Sequence, residues 1–399
     1  MKVMQINVVY NTGSTGKIMF DIHTELMLEG IESVICYGRG EKTSDAGVYK
    51  TCGELYSKLN NLASRFTGIM YGGCILSTSK LISIIKKEKP DVVHLHCING
   101  YFVNVYRLVS WLKKSGIKTV LTLHAEFMHT ANCGYAFECE KWKNGCGKCP
   151  RFKAETKSLF IDGTHRSWMK MKRAFKGFEK LTVISVSPWL MERAKQSPIL
   201  KDFEHVTILN GLDTDVFHPS ESNIKAELGI ENKKMVFHAT PKFDNDPANI
   251  KGGHYLIELA KMMKDTAFVI AGNHPEGLEL PDNMILVGRI NDQRRLAEYY
   301  SAADLTVLTS KRETFSMIVA ESLSCGTPVA GFMAGAPEMI SIPEYSRFVR
   351  HGDLESLYGV AREMLDLTLN RNEIALSASE KYSKERMAEQ YIDAYKTRS

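Results

Sequence analysis

The sequence predicts an α/β protein with two doubly wound domains, each built on its own parallel sheet. Short apolar segments alternate with segments of helical apolar spacing in residues 1–209, and the same scheme returns in residues 235–331. A stretch rich in turn-forming residues, 209–219, separates the two series. Alternating strands and helices favour parallel sheets with right-handed crossovers, and 399 residues suffice for two packed domains.

The individual elements follow in chain order. The strands predicted in the first half are residues 2–9, 32–37, 92–96, 119–124, 181–186 and 206–209, with helices over 17–29, 79–89 and 104–115. The strands predicted in the second half are residues 235–239, 267–271, 284–287, 305–309 and 328–331. We therefore predict a first domain over residues 1–216, a second over 217–382 and a C-terminal helix over 383–399.

Composition narrows the class of protein. Nine cysteines, an odd number, together with an N-terminus that lacks the pattern of an export signal, predict reduced thiols and a cytoplasmic location. No apolar run is long enough to predict a membrane span. Residues 1–205 hold 30 Lys and Arg against 18 Asp and Glu, whereas the remainder holds 21 against 28. The basic half indicates either an anionic partner, such as a phospholipid surface, a lipid-linked phosphate or nucleic acid, or an unevenly charged solvated surface. No nucleic-acid-binding motif is present, so nucleic acid is not a predicted partner.

The segment 304–325 places two carboxylates beside a predicted helix N-terminus. The apolar run 304–309 predicts a buried strand and residues 317–325 predict a helix, with Glu313 in the loop and Glu321 in the helix. A helix that starts at the carboxyl end of a parallel strand suits a phosphate, whereas carboxylates accept hydrogen bonds from sugar hydroxyls. The combination predicts a sugar-nucleotide site, with two solvated acids on an ordinary loop and helix as the alternative.

Other polar residues follow predicted strands. The loop at residues 10–17 is glycine-rich and opens a helix, which is typical of a phosphate-binding turn and also of a plain tight turn. His124 ends a strand at the edge where ligands of parallel sheets bind. His94 and His96 are expected to alternate faces of their strand and to be satisfied structural histidines.

In this order the motifs resemble the family 4 retaining glycosyltransferases, whose GT-B fold has two Rossmann-like domains facing a central cleft. Glu313 and Glu321 match the EX7E motif of that family, Lys251 matches the lysine of its GR…KG pattern, and residues 209–219 are similar to its interdomain linker. The chain departs from the family in three places. Ala125 stands where the family has an aspartate directly after the histidine that His124 matches, and Glu126 follows it. The arginine of the GR…KG pattern is missing, with Lys242 as its candidate substitute, and Ser316 stands where glycine is commoner.

The resemblance implies a role for each matching residue. Glu313 would bind the donor sugar, Glu321 the nucleotide ribose and Lys251 the diphosphate. Gly13 and Ser14 would contact the diphosphate and the acceptor, and His124 the donor sugar near the reacting carbon. The implied donor site also includes Lys242, Thr314, Phe315, Ser316 and Met317. The C-terminal helix would pack back on the first domain, and no metal would be needed for catalysis.

Four cysteines cluster in a hydrophilic insertion at about residues 129–155, and these are Cys133, Cys139, Cys146 and Cys149. A CxxC pair as half of a four-thiolate set suits tetrahedral zinc, so the spacing predicts a structural zinc site, with free thiols or a disulfide as alternatives. A similar cysteine-containing insertion occurs in glycosyltransferases of the bacterial exopolysaccharide and colanic-acid type.

The resemblance therefore implies a retaining hexosyltransferase for cell-surface polysaccharide synthesis. Its donor would be a UDP- or GDP-linked sugar, and its acceptor a hydroxyl of a glycan or of a polyprenyl-diphosphate-linked glycan. The protein would act in the cytoplasm at the inner face of the membrane, with peripheral contact to anionic lipid. Two alternatives stay open: a sugar-nucleotide epimerase of the same fold, and a non-catalytic protein that binds sugar nucleotides.

Overall fold

The computed structural model describes residues 1–397, which form two compact units. The first unit comprises Met1–Leu209 with the C-terminal segment from Met387, and the second comprises Asn210–Arg386. The predicted boundaries, after residues 216 and 382, lie close to these divisions. Each unit is an α/β structure with one wholly parallel sheet, so the predicted fold class is confirmed.

The first unit contains seven strands. They are β1 (Lys2–Asn7), β2 (Glu32–Tyr37), β3 (Val48–Lys50), β4 (Val92–Leu95), β5 (Lys118–Leu123), β6 (Leu181–Ser185) and β7 (Glu204–Thr207). The helices between them are α1 (Gly13–Leu28), α2 (Glu54–Thr67), α3 (Ile75–Glu88), α4 (Val105–Ser115), α5 (Phe127–Thr130), α6 (Phe152–Thr156), α7 (Thr164–Phe175) and α8 (Pro188–Lys195), with a 3-10 turn at Lys141–Lys143. The strand order is β3–β2–β1–β4–β5–β6–β7.

The second unit contains six strands. They are β8 (Lys234–Lys242), β9 (Thr266–Asn273), β10 (Met284–Gly288), β11 (Leu305–Leu308), β12 (Val329–Phe332) and β13 (Ser346–Val349), in the order β10–β9–β8–β11–β12–β13. The helices are α9 (Ile224–Glu227), α10 (Gly253–Met262), α11 (Gln293–Ala302), α12 (Met317–Ser324), α13 (Pro337–Ile340), α14 (Leu354–Asp366) and α15 (Arg371–Tyr382).

The last helix, α16 (Lys384–Lys396), carries its aromatic stripe into the core of the first unit. Tyr391 and Tyr395 belong to the same buried cluster as Val3 of β1 and Val120 of β5. Lys118 also donates hydrogen bonds from Nζ to the carbonyl oxygens of Ala394 at 2.8 Å and Tyr395 at 3.0 Å, near the C-terminal end of the helix. Apolar packing and polar contacts together hold this helix on the first unit.

Both sheets reverse their strand order beside their first strand. The reversal lies between β1 and β4 in the first unit and between β8 and β11 in the second. Ligands of open parallel sheets bind outside the carboxyl ends of the strands at such a switch point. The fold therefore predicts that a ligand site of each unit lies in the loops that follow these four strands. Among residues 1–397, no helix combines the length and apolar character that crossing a membrane requires.

Candidate functional site

The loops after β8 and β11 meet at the switch point of the second sheet. The Lys251 ammonium lies 2.6 Å from Oε1 of Glu313, so the two residues form an ion pair. The hydroxyl of Thr309 donates a hydrogen bond to the carbonyl oxygen of Lys251 at 2.9 Å. Gly252 has a φ of 68°, and a Cβ at this position would lie 2.4 Å from the Thr309 carbonyl oxygen. Glycine is therefore needed for the close approach that places Lys251.

The backbone of Glu313 is held by the loop that follows β12. Its N–H donates to the carbonyl oxygen of Ala334 at 3.0 Å, and its own carbonyl accepts from the N–H of Ala336 at 3.3 Å. The carboxylate of Glu338 accepts the N–H groups of Ala334 and Gly335, each at 2.9 Å, which fixes this second loop in turn. Glu313 is thereby buried and ordered by neighbouring loops.

Glu321 lies in α12 with its side chain partly buried. Its carboxylate accepts a hydrogen bond at 3.0 Å from the hydroxyl of Tyr300, a residue of α11 that is fully buried. Burial raises the pKa of Glu321 to about 7, although the Tyr300 hydrogen bond acts in the opposite direction. Among the described residues, Tyr300 is the one side chain that bonds to this carboxylate. The group therefore retains capacity to accept further hydrogen bonds.

A cavity of about 400 Å³ opens at the carboxyl ends of β8, β9 and β10, beside the first turns of α12. Small-molecule sites in proteins commonly have volumes of this order. The residues that line the cavity are Ala239, Thr240, Pro241, Ala271, Gly272, Asn273, Arg289, Ile290, Leu296, Met317, Ile318 and Glu321.

Ser316 immediately precedes α12 and has an unusual backbone. Its φ is 92° and its ψ is 91°, in a region that favours glycine, and Ser316 is buried. Within residues 1–397 its hydroxyl finds no hydrogen-bond partner. The strained conformation gives a physical reason for the glycine that is commoner here in the family this chain resembles. Thr314 and Phe315 are also buried, and the Phe315 ring lies 6.4 Å from the ring of Tyr382.

Lys242 ends β8 but does not share the Lys251–Glu313 pair. Its ammonium lies 2.7 Å from the carboxylate of Asp244, and its side chain is largely exposed. The hydrogen bond to Asp244 raises the pKa of Lys242, so its charge is engaged with a neighbouring loop residue. Asp244 also accepts a hydrogen bond from the Asn249 side chain at 3.0 Å, which ties the loop after β8 together.

Sequence reasoning missed three residues of this region. Arg289 lines the cavity and is exposed, and its position two residues after a predicted strand could have indicated it. Tyr300 is placed against Glu321 by tertiary packing alone. His238 of β8 donates from Nδ1 to the Val307 carbonyl at 2.8 Å, and burial lowers its pKa to about 4. Its Nε2 lacks a partner among the described residues.

The glycine-rich loop of the first unit lies at the switch point of its own sheet. Gly13 begins α1 with a φ of 62°, and both Gly13 and Ser14 are exposed. No atom would contact a Cβ at Gly13, so the backbone conformation alone favours glycine there. The Asn7 side chain donates to the Val9 carbonyl at 3.0 Å and accepts from the N–H of Cys97 at 3.1 Å. The ends of β1 and β4 are therefore joined directly beneath this loop.

His124 follows β5 and belongs to a hydrogen-bonded chain of side chains. Its Nε2 lies 3.2 Å from Nδ1 of His96, whose Nε2 lies 3.0 Å from Oε1 of Gln5. Because an amide oxygen only accepts, His96 carries its proton on Nε2 and accepts from His124 on Nδ1. Burial lowers the pKa of His124 to about 4, so the ring is neutral at physiological pH. In that tautomer its Nδ1 is an acceptor.

His94 and His96 lie on the same face of β4, because residues two apart in a strand share a face. Their ring centroids are 3.8 Å apart, so the expectation that they alternate faces was wrong. His94 is buried between the Tyr395 hydroxyl and the Thr122 hydroxyl, each at 2.7 Å from one of its ring nitrogens. It is a satisfied core histidine.

Glu126 anchors the cysteine-containing insertion. Its carboxylate accepts hydrogen bonds from Nε of Arg193 at 2.6 Å and from the N–H of Ala136 at 2.7 Å. Burial would raise its pKa, but its interactions with His129 and Arg193 outweigh burial and hold the pKa below its usual value. Both carboxylate oxygens are therefore engaged within the first unit.

The structure gives the predicted zinc site no support. Among the described residues, no group of three or more His, Cys, Asp or Glu side chains is arranged to hold a metal ion, and Cys133, Cys139, Cys146 and Cys149 are free thiols. The insertion has an apolar centre instead, since Trp142 is buried and its carbonyl accepts from the indole N–H of Trp168 at 2.9 Å.

Two doubly wound units, each with polar side chains at its switch point, define the class as the GT-B fold of glycosyltransferases. Residues 242–366 match the family described as Glycosyl transferases group 1. The second unit therefore carries a glycosyl transferase group 1 domain.

Whole-chain relatives agree with this class. The colanic acid biosynthesis glycosyl transferase WcaC of Escherichia coli strain K12 is 21% identical to this chain, and the match covers 99% of each chain. The N-acetyl-alpha-D-glucosaminyl L-malate synthase of Bacillus anthracis is 22% identical over 79% of this chain and 77% of its own. The resemblance to glycosyltransferases is confirmed, and the named relatives give no support to the epimerase alternative.

Solved structures show the same fold at low sequence identity. Sucrose-phosphate synthase from Thermosynechococcus elongatus has a TM-score of 0.69 and 17% identity, and covers 99% of this chain and 98% of its own. Anabaena HepE in complex with UDP has a TM-score of 0.65 and 14% identity, and covers 99% of each chain. WaaG, described as a glycosyltransferase involved in lipopolysaccharide biosynthesis, has a TM-score of 0.65 and 13% identity over the full length of both chains.

Proposed function

We propose that this protein is a retaining glycosyltransferase of the family 4 type. It transfers a sugar from a nucleoside-diphosphate donor to a hydroxyl of a glycan or of a lipid-linked glycan during cell-surface polysaccharide synthesis. The observation that carries the proposal is the cavity at the switch point of the second sheet, which has the Glu321 carboxylate in its wall. The Lys251–Glu313 pair follows strands of the same sheet and lies at the same switch point.

In this proposal Glu321 binds the nucleotide ribose. The carboxylate accepts one hydrogen bond, from the Tyr300 hydroxyl, and no other side chain among the described residues donates to it. The two vicinal hydroxyls of a ribose would supply further donors. Binding would then stabilise the charged form of a group whose pKa burial raises to about 7. The nucleobase would occupy the cavity beside Arg289, between the ends of β9 and β10.

The phosphates would bind at the start of α12, where the backbone of Thr314, Phe315, Ser316 and Met317 leads into the helix. Lys251 supplies the positive charge, and Lys242 takes the place of the missing arginine once its pair with Asp244 is released. Glu313, which cannot favourably face a phosphate, accepts hydrogen bonds from the sugar hydroxyls instead. The unpartnered buried hydroxyl of Ser316 within the described residues supports a polar ligand at this point.

Roles in the first unit rest on the family resemblance and on local geometry. Gly13 and Ser14 are exposed at the N-terminus of α1, as contact with a diphosphate or an acceptor requires. His124 would contact the donor sugar, as the family resemblance implies, with the orientation of its ring set by His96. Glu126 takes no part, because both of its oxygens are engaged by the insertion and by Arg193.

The proposed reaction proceeds on one face of the sugar. The bond from the anomeric carbon to the donor phosphate oxygen breaks, and the acceptor oxygen forms its bond from the same side. The acceptor proton passes to the departing phosphate oxygen. The protein contributes positioning and charge stabilisation, with Lys251 opposite the charge that develops on the leaving diphosphate.

A uridine nucleotide is the preferred donor in this proposal. Anabaena HepE, which shares the fold, has been solved with UDP, with UDP and glucose, and with UDP-glucose. The colanic acid relative supports a polysaccharide product. We place the protein in the cytoplasm at the inner face of the membrane, where a polyprenyl-diphosphate-linked acceptor would be found.

Calorimetric titration of a panel of nucleoside diphosphates and their sugars is the first test. We expect one nucleotide to bind, and Glu321→Ala to weaken its binding about five- to a hundredfold, the cost of one to a few lost hydrogen bonds. Glu279→Ala, at an exposed residue of the same unit outside the cavity lining, is the matched control and should leave binding unchanged.

The donor identified in this way is then incubated with a lipid-linked acceptor, and the anomeric configuration of the product is read by nuclear magnetic resonance. Retention of the donor configuration supports the proposed reaction, whereas inversion contradicts it. Tight nucleotide binding without transfer to any acceptor would instead support a non-catalytic sugar-nucleotide-binding protein. A lack of nucleotide binding across the panel would refute both.

A further inference from the structure

The first unit exposes a concentrated apolar surface that the proposed reaction does not use. Of the seventeen large hydrophobic residues that are exposed within residues 1–397, nine come from three neighbouring segments, with exposed fractions between 42% and 76%. The outward apolar surface consists of Leu55, Leu59, Leu62 and Phe66 of α2, Ile75 and Leu76 of α3, and Leu159, Phe160 and Ile161 of the loop after α6.

Helix α2 is amphipathic, but it is mounted with its polar side toward the protein. Leu55, Leu59, Leu62 and Phe66 recur at the spacing of one helix face, and all four are exposed. The inward face holds Ser57 and Ser64, the two residues of this helix that are buried. An amphipathic helix of a globular domain normally turns its apolar face to the core. The reversed orientation of α2 therefore indicates that its apolar face contacts an apolar environment outside the domain.

Hydrogen bonds fix this reversed orientation. The Ser64 hydroxyl donates to the Tyr101 hydroxyl at 3.0 Å, and the Asn60 side chain accepts from the N–H of Cys74 at 2.7 Å. The Tyr56 hydroxyl accepts from the N–H of Leu76 at 3.2 Å, which joins α2 to the start of α3. These bonds use the polar side of α2, so the helix cannot rotate its leucines inward without losing them.

The third segment is joined to the end of α2 just as closely. The carbonyl oxygen of Arg65 accepts from the N–H of Leu159 at 2.8 Å and from the Ser158 hydroxyl at 3.2 Å. Gly68 and Gly163 approach so tightly that a Cβ on Gly163 would lie 1.9 Å from the Gly68 carbonyl oxygen. Leu159, Phe160 and Ile161 are thus presented on a fixed loop beside Phe66.

The surface around these residues is positively charged. Residues 55–87 contain five Lys and Arg and no Asp or Glu, and residues 151–176 contain eight Lys and Arg against two acids. Lys58 and Arg65 are exposed on α2 itself, and Lys157 is exposed two residues before Leu159. Lys170 lines a shallow cavity of about 220 Å³ together with Asn60 and Ser64, so it also borders the helix.

We propose that the outward apolar surface docks this protein on an anionic lipid bilayer, with α2 lying in the interface. Apolar side chains rimmed by lysine and arginine match the boundary between acyl chains and acidic headgroups, because the long cations reach the headgroups while the leucines and phenylalanines enter the apolar layer. A second copy of the chain is a poorer occupant, since a two-fold contact would bring these same cations opposite one another. The inference does not depend on the proposed donor site.

Vesicle co-sedimentation of the full chain tests this surface. The vesicles are phosphatidylethanolamine with phosphatidylglycerol, compared with phosphatidylcholine alone. We expect binding to the acidic vesicles that falls with rising salt. The triple variant Leu59→Ser, Leu62→Ser, Phe66→Ser should bind the acidic vesicles at least about tenfold more weakly, because three apolar side chains no longer enter the apolar layer. Lys58→Glu with Arg65→Glu should weaken binding to the acidic vesicles alone.

The matched control is Leu376→Ser with Met262→Ser, which removes exposed hydrophobic residues of the second unit. This control should bind vesicles as the wild type does. All variants replace exposed side chains, so their thermal midpoints and nucleotide binding should be unchanged, which separates loss of docking from loss of fold. Failure of the wild type to sediment, or equal sedimentation of wild type and triple variant, refutes the proposal. Dimerisation in solution that the triple variant abolishes would assign the surface to a second copy instead.

Discussion

The Lys251 ammonium lies 2.6 Å from the Glu313 carboxylate, and the two residues follow neighbouring strands of the second sheet. Both side chains are largely shielded from water, at 25% and 10% exposure. Each charge therefore holds the other in place at the switch point before any ligand arrives. The ion pair therefore holds both groups in position: Lys251 as a cation that could bind a phosphate, and Glu313 as an anion that could accept hydrogen bonds from sugar hydroxyls.

Replacement of Lys251 by alanine should reduce kcat/KM about a hundredfold or more, because the proposed reaction develops negative charge on the leaving diphosphate that Lys251 would stabilise. Lys251→Arg should retain part of the activity. Lys261→Ala is the matched control: this lysine of α10 is exposed and paired with Glu258, and its loss should leave kcat/KM unchanged. Steady-state kinetics with the donor that calorimetry identifies measures both effects. Equal losses at the two lysines would contradict the special role of Lys251.

Nucleotide affinity should rise as pH increases through about 7. Burial raises the pKa of Glu321 to about 7, and only its charged form can accept hydrogen bonds from both ribose hydroxyls. Below that pH the carboxyl group is protonated and must lose its proton to bind. Calorimetry across pH 5.5 to about 8.5 measures this dependence, and Glu321→Gln should remove it while leaving the contribution of the nucleotide phosphates.

The same shift predicts the pH dependence of folding. The folded state binds the Glu321 proton more tightly than the unfolded state does, whose carboxyl has a pKa of about 4.3. This residue therefore lowers the free energy of unfolding progressively as pH rises from about 4.5 to about 7. The free energies of unfolding of wild type and Glu321→Gln, measured with urea, should be similar at the acidic end and should differ increasingly toward neutral pH, where the variant is the more stable. A wild-type advantage at pH 7 would exclude the raised pKa.

Sequence patterns predicted the buried central strands well, because each is an apolar run bounded by turn residues. The edge strands β3 and β13 were not predicted, since they have three and four residues and little apolar surface of their own. The carboxylates Glu313 and Glu321 could be found from their spacing. Tyr300, the hydrogen-bond partner of Glu321, is by contrast 21 residues away in sequence, and only the packing of α11 on α12 brings the two together.

Two local features show why spacing alone is insufficient. The CxxC pair at Cys146 and Cys149 has the spacing of zinc ligands, but the insertion is organised around Trp142 and the Glu126–Arg193 pair. Helix α2 has the apolar period of a core-facing helix, yet its leucines face outward because serine and asparagine hold its other side. In both cases the hydrogen bonds that decide the outcome involve residues distant in sequence.

Ser316→Gly should stabilise the second unit by about 1 kcal/mol. Serine at a φ of 92° is strained, and glycine removes the strain and also a buried hydroxyl without a partner among the described residues. Ser324→Gly is a close control, because that serine is also buried with a hydroxyl lacking a partner there but lies in the helix α12. It should be neutral or destabilising by about 0.5 kcal/mol. Urea unfolding measures both, and changes of the same sign would show that backbone strain is not the cause.

Replacement of His124 and of His94 should have opposite consequences for activity and stability. His124→Gln should lower kcat/KM about a hundredfold with little change in the thermal midpoint, since the half-buried ring is proposed to contact the donor sugar. His94→Gln should leave the activity of the folded enzyme intact. It should nonetheless lower the free energy of unfolding by about 1–3 kcal/mol, because the hydroxyls of Tyr395 and Thr122 lose a buried partner.

Acidification provides a second readout for the same two residues. Burial holds the pKa values of His94 and His124 below the ordinary value of 6.5, so the folded state binds fewer protons and stability falls as pH drops from about 6.5 toward 4. Each Gln variant should lose less stability than the wild type over this range, because one neutral buried imidazole is gone. An activity loss in His94→Gln as large as that in His124→Gln would contradict the specific role proposed for His124.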